Sequence, residues 1–326
     1  MGHLTASQAQ DLLPGRWSLA QRCSDKGTGG VTDAAVAQAL DDGRLLRTHV
    51  LRPTWHVVRP DALGFLLAAT APRVHRASSS MNRQVGVDDE LMRAVRPVLE
   101  ARLVQSHATR AQVASALADA GIAADGVRLA HVLMYAELEG WICSGRRQGS
   151  LQTYALVAER LPDAGPVDRE EALVRLASAY FASRGPATVR DLAAWASLTL
   201  TEARRAIAAL GDEVEELDVA GRTFLVARGS APPPRREGPT VHLVQTYDEI
   251  VSSYPESRET VGGGRVLERE RTAYTHAVLL DGRLLGRWRY RRGGDGRPAS
   301  VETRLVRDLT GDEHDGIDAE VRRFAT

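Results

Sequence analysis

Cysteine, lysine and long apolar runs are scarce in this 326-residue chain, and each scarcity excludes a class of protein. The two cysteines, Cys23 and Cys143, form no CxxC pair and no Cys/His cluster, which argues against structural zinc and a disulfide framework. We therefore expect a reducing, cytoplasmic compartment. No apolar run approaches the roughly 20 residues that a membrane helix needs. The N-terminus also lacks a basic stretch followed by an apolar core, so we expect no secretory signal and no membrane partner.

The cations are almost all arginine, because Lys26 is the only lysine, and the formal net charge is zero. Genomic base composition explains much of this bias, but a guanidinium also makes forked contacts with phosphate and guanine. Arginines cluster at Arg146 and Arg147 in SGRRQGS and again in GRWRYRR at 286–292. The second cluster is either a strand that faces DNA or an exposed strand that buries Trp288 and Tyr290. The overall charge leaves nucleic-acid binding open, since local basic strips suffice for it.

The segment 104–157 has the outline of a winged helix. A first helix is predicted from its N-cap Thr109 to a stop at Gly121, and a second over VRLAHVLMYAELEG. Two strand-like runs, WIC and TYAL, follow and are joined by a segment that carries the Arg146–Arg147 pair. Two helices followed by a hairpin with a basic tip are typical of this helix-turn-helix variant.

The same order of elements recurs at 170–227 and, more loosely, at 30–60. In the later copy, Thr199 or Thr201 caps the last helix, and a hairpin turns at Ala220-Gly221. An all-helical solenoid does not fit, because β-rich hairpins separate the helices.

Beyond a proline-rich linker the chain changes to short strands, with Asp281-Gly282 as a hairpin turn, and ends in a helix over GIDAEVRRFA. We predict an α+β protein of three tandem winged helix-turn-helix units and a small β-rich C-terminal domain. The predicted boundaries are 1–76, 77–165 and 166–228 for the units, 229–239 for the linker and 240–326 for the last domain.

Two neutral amides, Gln8 and Gln10, stand two residues apart near the N-terminus. In an extended segment they would share a face, because alternate side chains of a strand point the same way. The same alternation over 51–57 would place Arg52, Thr54 and His56 on one face and Trp55 on the other. These polar residues are candidates for holding something small, although a core histidine satisfied by hydrogen bonds is an equally ordinary reading of His56.

Several blocks together resemble the AlkZ/YcaQ-type winged-helix DNA glycosylases, which are bacterial proteins of DNA repair and of self-resistance to alkylating agents. The resemblance rests on SQAQD, RTHVLRPTWHVV, SSSMNRQVGVDD, AELEGWICSGRRQGSLQTYALV, YFASRGPATVRDLAAWASL and VQTYDEIVSSYPESR. It implies three tandem winged helices and a β-rich C-terminal domain. AlkZ-like members carry a catalytic Gln-x-Gln motif, so the resemblance implies that Gln8 and Gln10 are the catalytic residues. The chain departs from the pattern at Arg184, where many relatives have histidine.

The function implied is that of a monofunctional DNA glycosylase that hydrolyses the N-glycosidic bond of N7-alkylguanine, in DNA repair or in self-resistance to alkylating natural products. Whether it also unhooks interstrand cross-links stays open at this point. Its partner would be double-stranded DNA carrying alkylated guanine, bound by a monomer with no cofactor and no metal. We assign Arg52, Thr54 and His56 to DNA or lesion contact, and Arg146 and Arg147 to phosphate contact or to a solvated surface. Asp11 is a rival catalytic group or, more simply, a helix cap.

Two other functions remain open at this stage. A non-catalytic winged-helix DNA-binding protein, such as a transcription regulator, would bind a preferred sequence and release no base. A protein that sequesters the alkylating compound itself would bind that compound without DNA.

Overall fold

A computed structural model describes residues 4–23, 31–161, 165–231, 238–257, 275–294 and 298–325. Over these ranges the protein is a mixed α/β structure in which helices are joined to small antiparallel sheets. None of the helices in these ranges is long and apolar enough to cross a membrane.

The N-terminal region forms a three-stranded sheet with two helices. β1 (Ala6–Gln8) pairs with β3 (Trp55–Val58), which pairs in turn with β2 (Leu46–His49), so the first strand lies beside the last. α1 (Leu12–Gln21) and α2 (Asp33–Asp41) lie between β1 and β2 in the chain. The helix and the extended segments predicted for 30–60 are therefore present.

The predicted alternation over 51–57 is wrong in its first half. The Arg52 N–H donates to Val50 O at 2.6 Å and the Thr54 N–H to Arg52 O at 2.7 Å, so two tight turns precede β3. Leu51 enters them with a φ of 65°. Arg52 thus lies in a turn and reaches the sheet only through its side chain.

Two long helices lead to the middle region. α3 (Pro60–Gln84) runs across the boundary predicted between residues 76 and 77, and α4 (Asp89–Leu103) follows it. Because α3 contacts helices of the middle and third regions, it connects the regions on either side of it.

The middle region repeats the arrangement of the first. β4 (Ala108–Thr109), α5 (Arg110–Asp119) and α6 (Gly126–Leu138) precede the hairpin of β5 (Ile142–Ser144) and β6 (Thr153–Leu156). The sheet order is β4-β6-β5, so the first strand again pairs with the last. The predicted cap is confirmed, since Thr109 Oγ1 accepts the N–H of Gln112 at 3.3 Å. A short helix, α7 (Val157–Arg160), ends the region.

The third region has three helices and a hairpin. They are α8 (Arg169–Arg184), α9 (Val189–Trp195), α10 (Leu200–Leu210), β7 (Val214–Val219) and β8 (Arg222–Ala227). Ala187, just before α9, bridges to Leu225 in β8 and stands where the first strand stands in the other two regions. Of the two predicted caps of α10, Thr199 is the residue whose hydroxyl accepts the N–H of Glu202.

The C-terminal region is a four-stranded sheet with the order β12-β11-β10-β9. Its strands and helices are β9 (Val241–Val244), α11 (Glu249–Ser252), β10 (His276–Leu280), β11 (Arg283–Arg292), β12 (Pro298–Leu305) and α12 (Gly311–Ala325). The predicted turn is confirmed, because Asp281 and Gly282 both have positive φ, 49° and 77°, as a type I′ hairpin requires. Most of the linker, residues 232–237, and the GGG stretch at 262–264 lie outside the described residues.

β11 carries the basic segment GRWRYRR and faces the inside of the protein with its aromatic side chains. Trp288 is fully buried in the sheet core. Arg289 and Arg291 bond to Glu302 on the neighbouring strand. These contacts favour the second reading of the segment, an exposed strand whose aromatic residues are buried.

Three regions of the chain are in contact around β1. Ala6 lies in an apolar core shared with residues of α3, α8 and α9, including the fully buried Trp195. Trp17 of α1 packs in the C-terminal core and donates its Nε1–H to Leu243 O at 2.6 Å. The end of β1, where Gln8 lies, is therefore held by the N-terminal, third and C-terminal regions at once.

Candidate active site at the end of strand β1

Gln8 is the last residue of β1 and lies opposite His56 in β3. Its residue surface is only 5% exposed. The carboxamide Oε1 accepts a hydrogen bond from Arg52 Nη2 at 3.1 Å. Because a guanidinium can only donate, this contact fixes the amide orientation and leaves the Nε2 amide hydrogens of Gln8 free of Arg52.

Arg52 joins three parts of the site. Besides Gln8, it donates to His56 Nε2 at 3.1 Å and, through Nη1, to Trp195 O at 2.7 Å. None of the carboxylates in the described ranges lies within ion-pair distance of Arg52, and burial lowers its pKa. The site therefore contains a largely desolvated guanidinium bound only to neutral acceptors.

His56 is neutral and has a defined tautomer. It is fully buried, and burial together with the charge of Arg52 lowers its pKa to about 3. Its Nδ1 lies 2.9 Å from Thr54 O, and its Nε2 faces Arg52. Since Arg52 donates, Nε2 must accept, so the proton is on Nδ1. His56 orients Arg52 and is not available as a general acid at neutral pH.

The depressed pKa of His56 makes stability depend on pH. Below about pH 6.5 the unfolded chain binds a proton that the folded protein refuses until about pH 3, so the contribution is complete above pH 6.5 and is lost as the pH falls. We expect this residue to add up to about 1.4 kcal/mol per pH unit to the fall in unfolding free energy between pH 6 and 4. Urea unfolding of the native protein and of His56→Gln at several pH values tests this. Parallel curves for the two proteins would contradict it.

Gln10 lies beyond the end of β1 and is exposed. Its Oε1 accepts the backbone N–H of Trp55 at 3.3 Å, and its backbone carbonyl accepts from Arg47 Nη2 at 3.3 Å. Arg47 stacks on the Trp55 ring at 4.4 Å, so the two residues that hold Gln10 also hold each other. As with Gln8, the carbonyl oxygen faces a donor, and the amide hydrogens remain available.

α1 packs closely against Ala9, the residue between the two glutamines, because α1 has a glycine at the point of contact. A Cβ added to Gly15 of α1 would lie 2.8 Å from the Ala9 Cβ and 2.9 Å from its Cα. Only a glycine at this position of α1 allows the helix to pack directly against the backbone of the motif.

Glu249 and Arg184, two residues that were not predicted to belong to the site, bind the backbone of β1 and of the residues beside it. Glu249 Oε1 accepts the backbone N–H of Gln8 at 2.9 Å, while Oε2 accepts from Trp195 Nε1 at 3.0 Å and Ser253 Oγ at 3.1 Å. Burial alone would raise the pKa of Glu249, but the charges of Arg184 and Arg52 outweigh it and lower the pKa to about 2. This carboxylate is thus ionised and buried, with both oxygens occupied.

Arg184 is the charge partner of Glu249, with Nη2 at 2.7 Å from Oε2. It also donates to two carbonyls on the β1 side, Leu4 O and Ala6 O, each at 2.9 Å, and its guanidinium stacks on Trp195 at 4.3 Å. Arg184 and Glu249 therefore fix the backbone of the strand that ends in Gln8. The departure from the family pattern at Arg184 was the one signal in the sequence that pointed to this network.

The remaining candidate residues have mixed surroundings. Asp11 occupies the N-cap position of α1, but its side chain makes no cap bond and lies 3.3 Å from Arg292. Thr54 Oγ1 is buried and has no hydrogen-bond partner among the described residues. Arg147 is already paired with Asp41 at 2.7 Å, whereas Arg146 is exposed on the same hairpin. Of this arginine pair, Arg146 has its guanidinium available for a phosphate.

Comparison with known proteins agrees with this geometry. The family model described as "DNA glycosylase AlkZ-like" matches residues 1–326. The chain is 28% identical over 314 residues to a Streptomyces sahachiroi protein named "Interstrand DNA cross-link repair glycosylase", covering 88% of this chain and 80% of that protein. It also resembles the solved structure of the Streptomyces sahachiroi DNA glycosylase AlkZ, with a TM-score of 0.70 and 23% identity over 99% of this chain and 88% of the other. This protein belongs to the AlkZ-like family of DNA glycosylases.

Proposed function

We propose that this protein is a monofunctional DNA glycosylase that releases N7-alkylguanine from double-stranded DNA, with Gln8 and Gln10 as the catalytic residues. The observation that carries the proposal is the pair of carboxamides at the end of β1, each with its carbonyl facing a donor and with no hydrogen-bond partner for its amide hydrogens among the residues that the structure describes. Arg52, which binds Gln8, and Thr54 keep the proposed role of lesion or backbone contact, whereas His56 is fully buried and bonded at both ring nitrogens and acts by orienting Arg52.

The titratable groups near Gln8 are not suited to protonating a leaving base, and this suggests the class of substrate. His56 is neutral and bonded at both nitrogens, and Glu249 is ionised, buried and fully bonded. A base that needs protonation before it leaves is therefore poorly served by these groups. An N7-alkylated guanine already carries a positive charge and departs as a neutral molecule, so it needs little acid catalysis.

The two amides have a role that suits this reaction. Each carbonyl oxygen has a second lone pair to orient water near the anomeric carbon, and each amide group has hydrogens to donate to acceptors on the lesion. Their contribution comes from fixed position and dipole rather than from basicity. Arg52 has N–H groups in excess of its three protein contacts and no carboxylate partner, which suits a phosphate beside the lesion.

We also propose that the architecture is three tandem winged helices followed by a β-rich domain. The support is the recurring order of strand, two helices and hairpin, with the first strand beside the last, in the sheets β1-β3-β2 and β4-β6-β5. The bridge from Ala187 to Leu225 gives the third unit the same topology. The domain boundaries follow this division, with α3 shared between the first two units.

The alternative function, a sequence-specific regulator, needs an exposed recognition helix in the major groove. In the middle unit that helix would be α6, whose only exposed residues are Gly126 and Val127. Its polar side chains face the protein instead, such as His131 on Asn82 at 2.6 Å. In the first unit, α2 exposes Asp33, Gln38 and small residues but no cation, which suits phosphate contact poorly. The surface of α6 therefore argues against a regulator that reads DNA through the middle unit, whereas α10 of the third unit exposes Arg204 and Arg205.

The relative's name leads us to propose interstrand cross-links as a further substrate, in repair or in self-resistance to an alkylating compound. A cross-link through guanine N7 carries the same positive charge as a simple alkyl adduct, so the same chemistry applies to it. We propose that the protein acts as a monomer.

Base release from a duplex with one N7-methylguanine tests the proposal. We expect the native protein to release the free base and leave an abasic site, with no release from a matched duplex containing unmodified adenine or uracil. DNA binding without release, from either this duplex or one with a bulkier N7 adduct, would favour the regulator. Binding of a free alkylating compound without DNA would favour sequestration.

A further inference from the structure

A groove of about 550 Å³ lies between α3 and the turn that joins α9 to α10. Arg73 of α3 and Arg190 of α9 line it, together with Glu256, which pairs with Arg190 at 3.6 Å. Its floor is made of small apolar side chains, among them Ala77, Ala193 and Ala194. A groove with a flat apolar floor and guanidinium groups in its lining suits a chain of sugars and phosphates.

The groove continues along an exposed face of α3 that carries further arginines. Arg76 and Arg83 lie within about 80° of Arg73 around the helix axis, at 100° per residue, and both are exposed. The three guanidinium groups extend over about 15 Å of helix, the rise of about four base pairs. Ser80, between them, is also exposed.

Within the part of the chain that the structure describes, the three arginines on this face of α3 have no carboxylate partner, whereas Arg190 pairs with Glu256 at 3.6 Å. Arg73 donates only to a backbone carbonyl, Ser197 O, at 3.2 Å. Among the described residues, neither Arg76 nor Arg83 has an ion pair. By contrast, Arg96 on the adjacent α4 is paired with Glu100 at 2.8 Å. The face of α3 thus carries positive charge that nothing in the described protein neutralises.

The groove and the candidate active site share one structural element. Arg73 binds Ser197 O and Arg52 binds Trp195 O, so the two arginines hold carbonyls two residues apart in the same turn. Arg52 in turn binds Gln8. The turn that borders the groove is therefore also bonded to the residue that orients Gln8.

We propose that this groove and the arginine face of α3 bind the phosphodiester backbone of one DNA strand next to the lesion. Arg73, Arg76 and Arg83 contact successive phosphates, and the alanine floor packs against the sugars. The inference rests on the proposed function and adds to it the path of the DNA. The other occupant to consider is the apolar body of a bulky adduct.

The test measures DNA affinity and base release separately in the full-length protein. The variants are Arg76→Gln, Arg83→Gln and the double variant, with Arg96→Gln as a control that removes the same charge from a paired arginine. The probe is a fluorescent duplex with one N7-methylguanine, titrated at several salt concentrations. We expect each variant on α3 to weaken binding by about 3- to 10-fold and to lower the salt slope by about 1, while Arg96→Gln changes neither. Arg96→Gln should also keep the single-turnover rate of the native protein.

Unchanged affinity and salt slope in the double variant would overturn the proposal, whether or not the native protein releases base. Ala194→Trp provides the second arm, because Ala194 is exposed and a large side chain there fills the groove without disturbing the core. We expect it to weaken binding of the N7-methylguanine duplex. If it instead leaves that affinity unchanged and slows release only of an N7-guanine adduct with an aromatic substituent, the groove holds the adduct and the proposal is wrong.

Discussion

Replacing Gln8 and Gln10 together by alanine is expected to lower the single-turnover rate of N7-methylguanine release by about 1000-fold or more, since one positioned donor is commonly worth about 100-fold. DNA affinity should change little, because neither side chain carries charge. Gln38→Ala, at an exposed glutamine of α2, is the control and should keep the native rate. A double variant that releases base at the native rate would remove both glutamines from the mechanism.

A single substitution, Gln8→Glu, separates the two halves of the amide. A carboxylate keeps an acceptor for Arg52 but loses the amide hydrogens that face away from it. If those hydrogens contact the lesion, Gln8→Glu should be as slow as Gln8→Ala. If the carbonyl oxygen orients water, Gln8→Glu should retain most of the native rate. The geometry at Arg52 favours the first result, because that contact already uses one lone pair of Oε1.

Local features of the fold could be predicted from the sequence because they depend on neighbouring residues. The cap at Thr109, the cap at Thr199 and the turn at Asp281-Gly282 each rest on a side chain or a positive φ within three residues. The backbone course of residues 51–54 could not be predicted, because the chain makes two tight turns there and the alternation of a strand does not apply. The alternation there suggested a common face for Arg52 and His56, and the two do meet, but through a turn.

The site was only partly predictable for a similar reason. Gln8 and Gln10 stand close in sequence, and the motif identifies them by resemblance. Glu249 is 241 residues away from Gln8, and no periodicity or spacing connects them. Their contact exists only because α1 and α11 bring the C-terminal region against β1. Distant residues can also occupy a predicted site residue. The basic hairpin predicted that Arg147 contacts phosphate, but the structure pairs it with Asp41 of α2.

Glu249 is the residue outside the motif whose substitution should affect catalysis most. In Glu249→Gln one amide oxygen can still accept the Gln8 N–H, but the amide hydrogens then face Arg184 and Trp195, which are also donors. Arg184 is left buried without its counter-charge, a loss that commonly costs about 3 kcal/mol or more. We expect a less stable protein whose single-turnover rate of base release falls by about 100-fold, because β1 no longer holds Gln8 in place.

A loss of stability alone would give a different result. If Glu249 only stabilised the fold, the variant would contain fewer active molecules, each with the native rate constant. The amplitude of single-turnover release would then fall while its rate constant stayed the same. We regard Glu249 as a positioning residue and expect the rate constant itself to fall, with DNA affinity close to that of the native protein.

Asp248→Asn is the matched control for this experiment. Asp248 is the neighbouring residue, is also fully buried, and pairs with Arg22 and Ser18 of the α1 region, but it makes no bond to β1. Its substitution should also destabilise the protein, but by less, because Arg22 is partly exposed whereas Arg184 is buried. If both variants lose rate constant equally, Glu249 acts through stability and not through Gln8. A rate constant that falls only in Glu249→Gln ties catalysis to the hydrogen bond between this carboxylate and the end of β1.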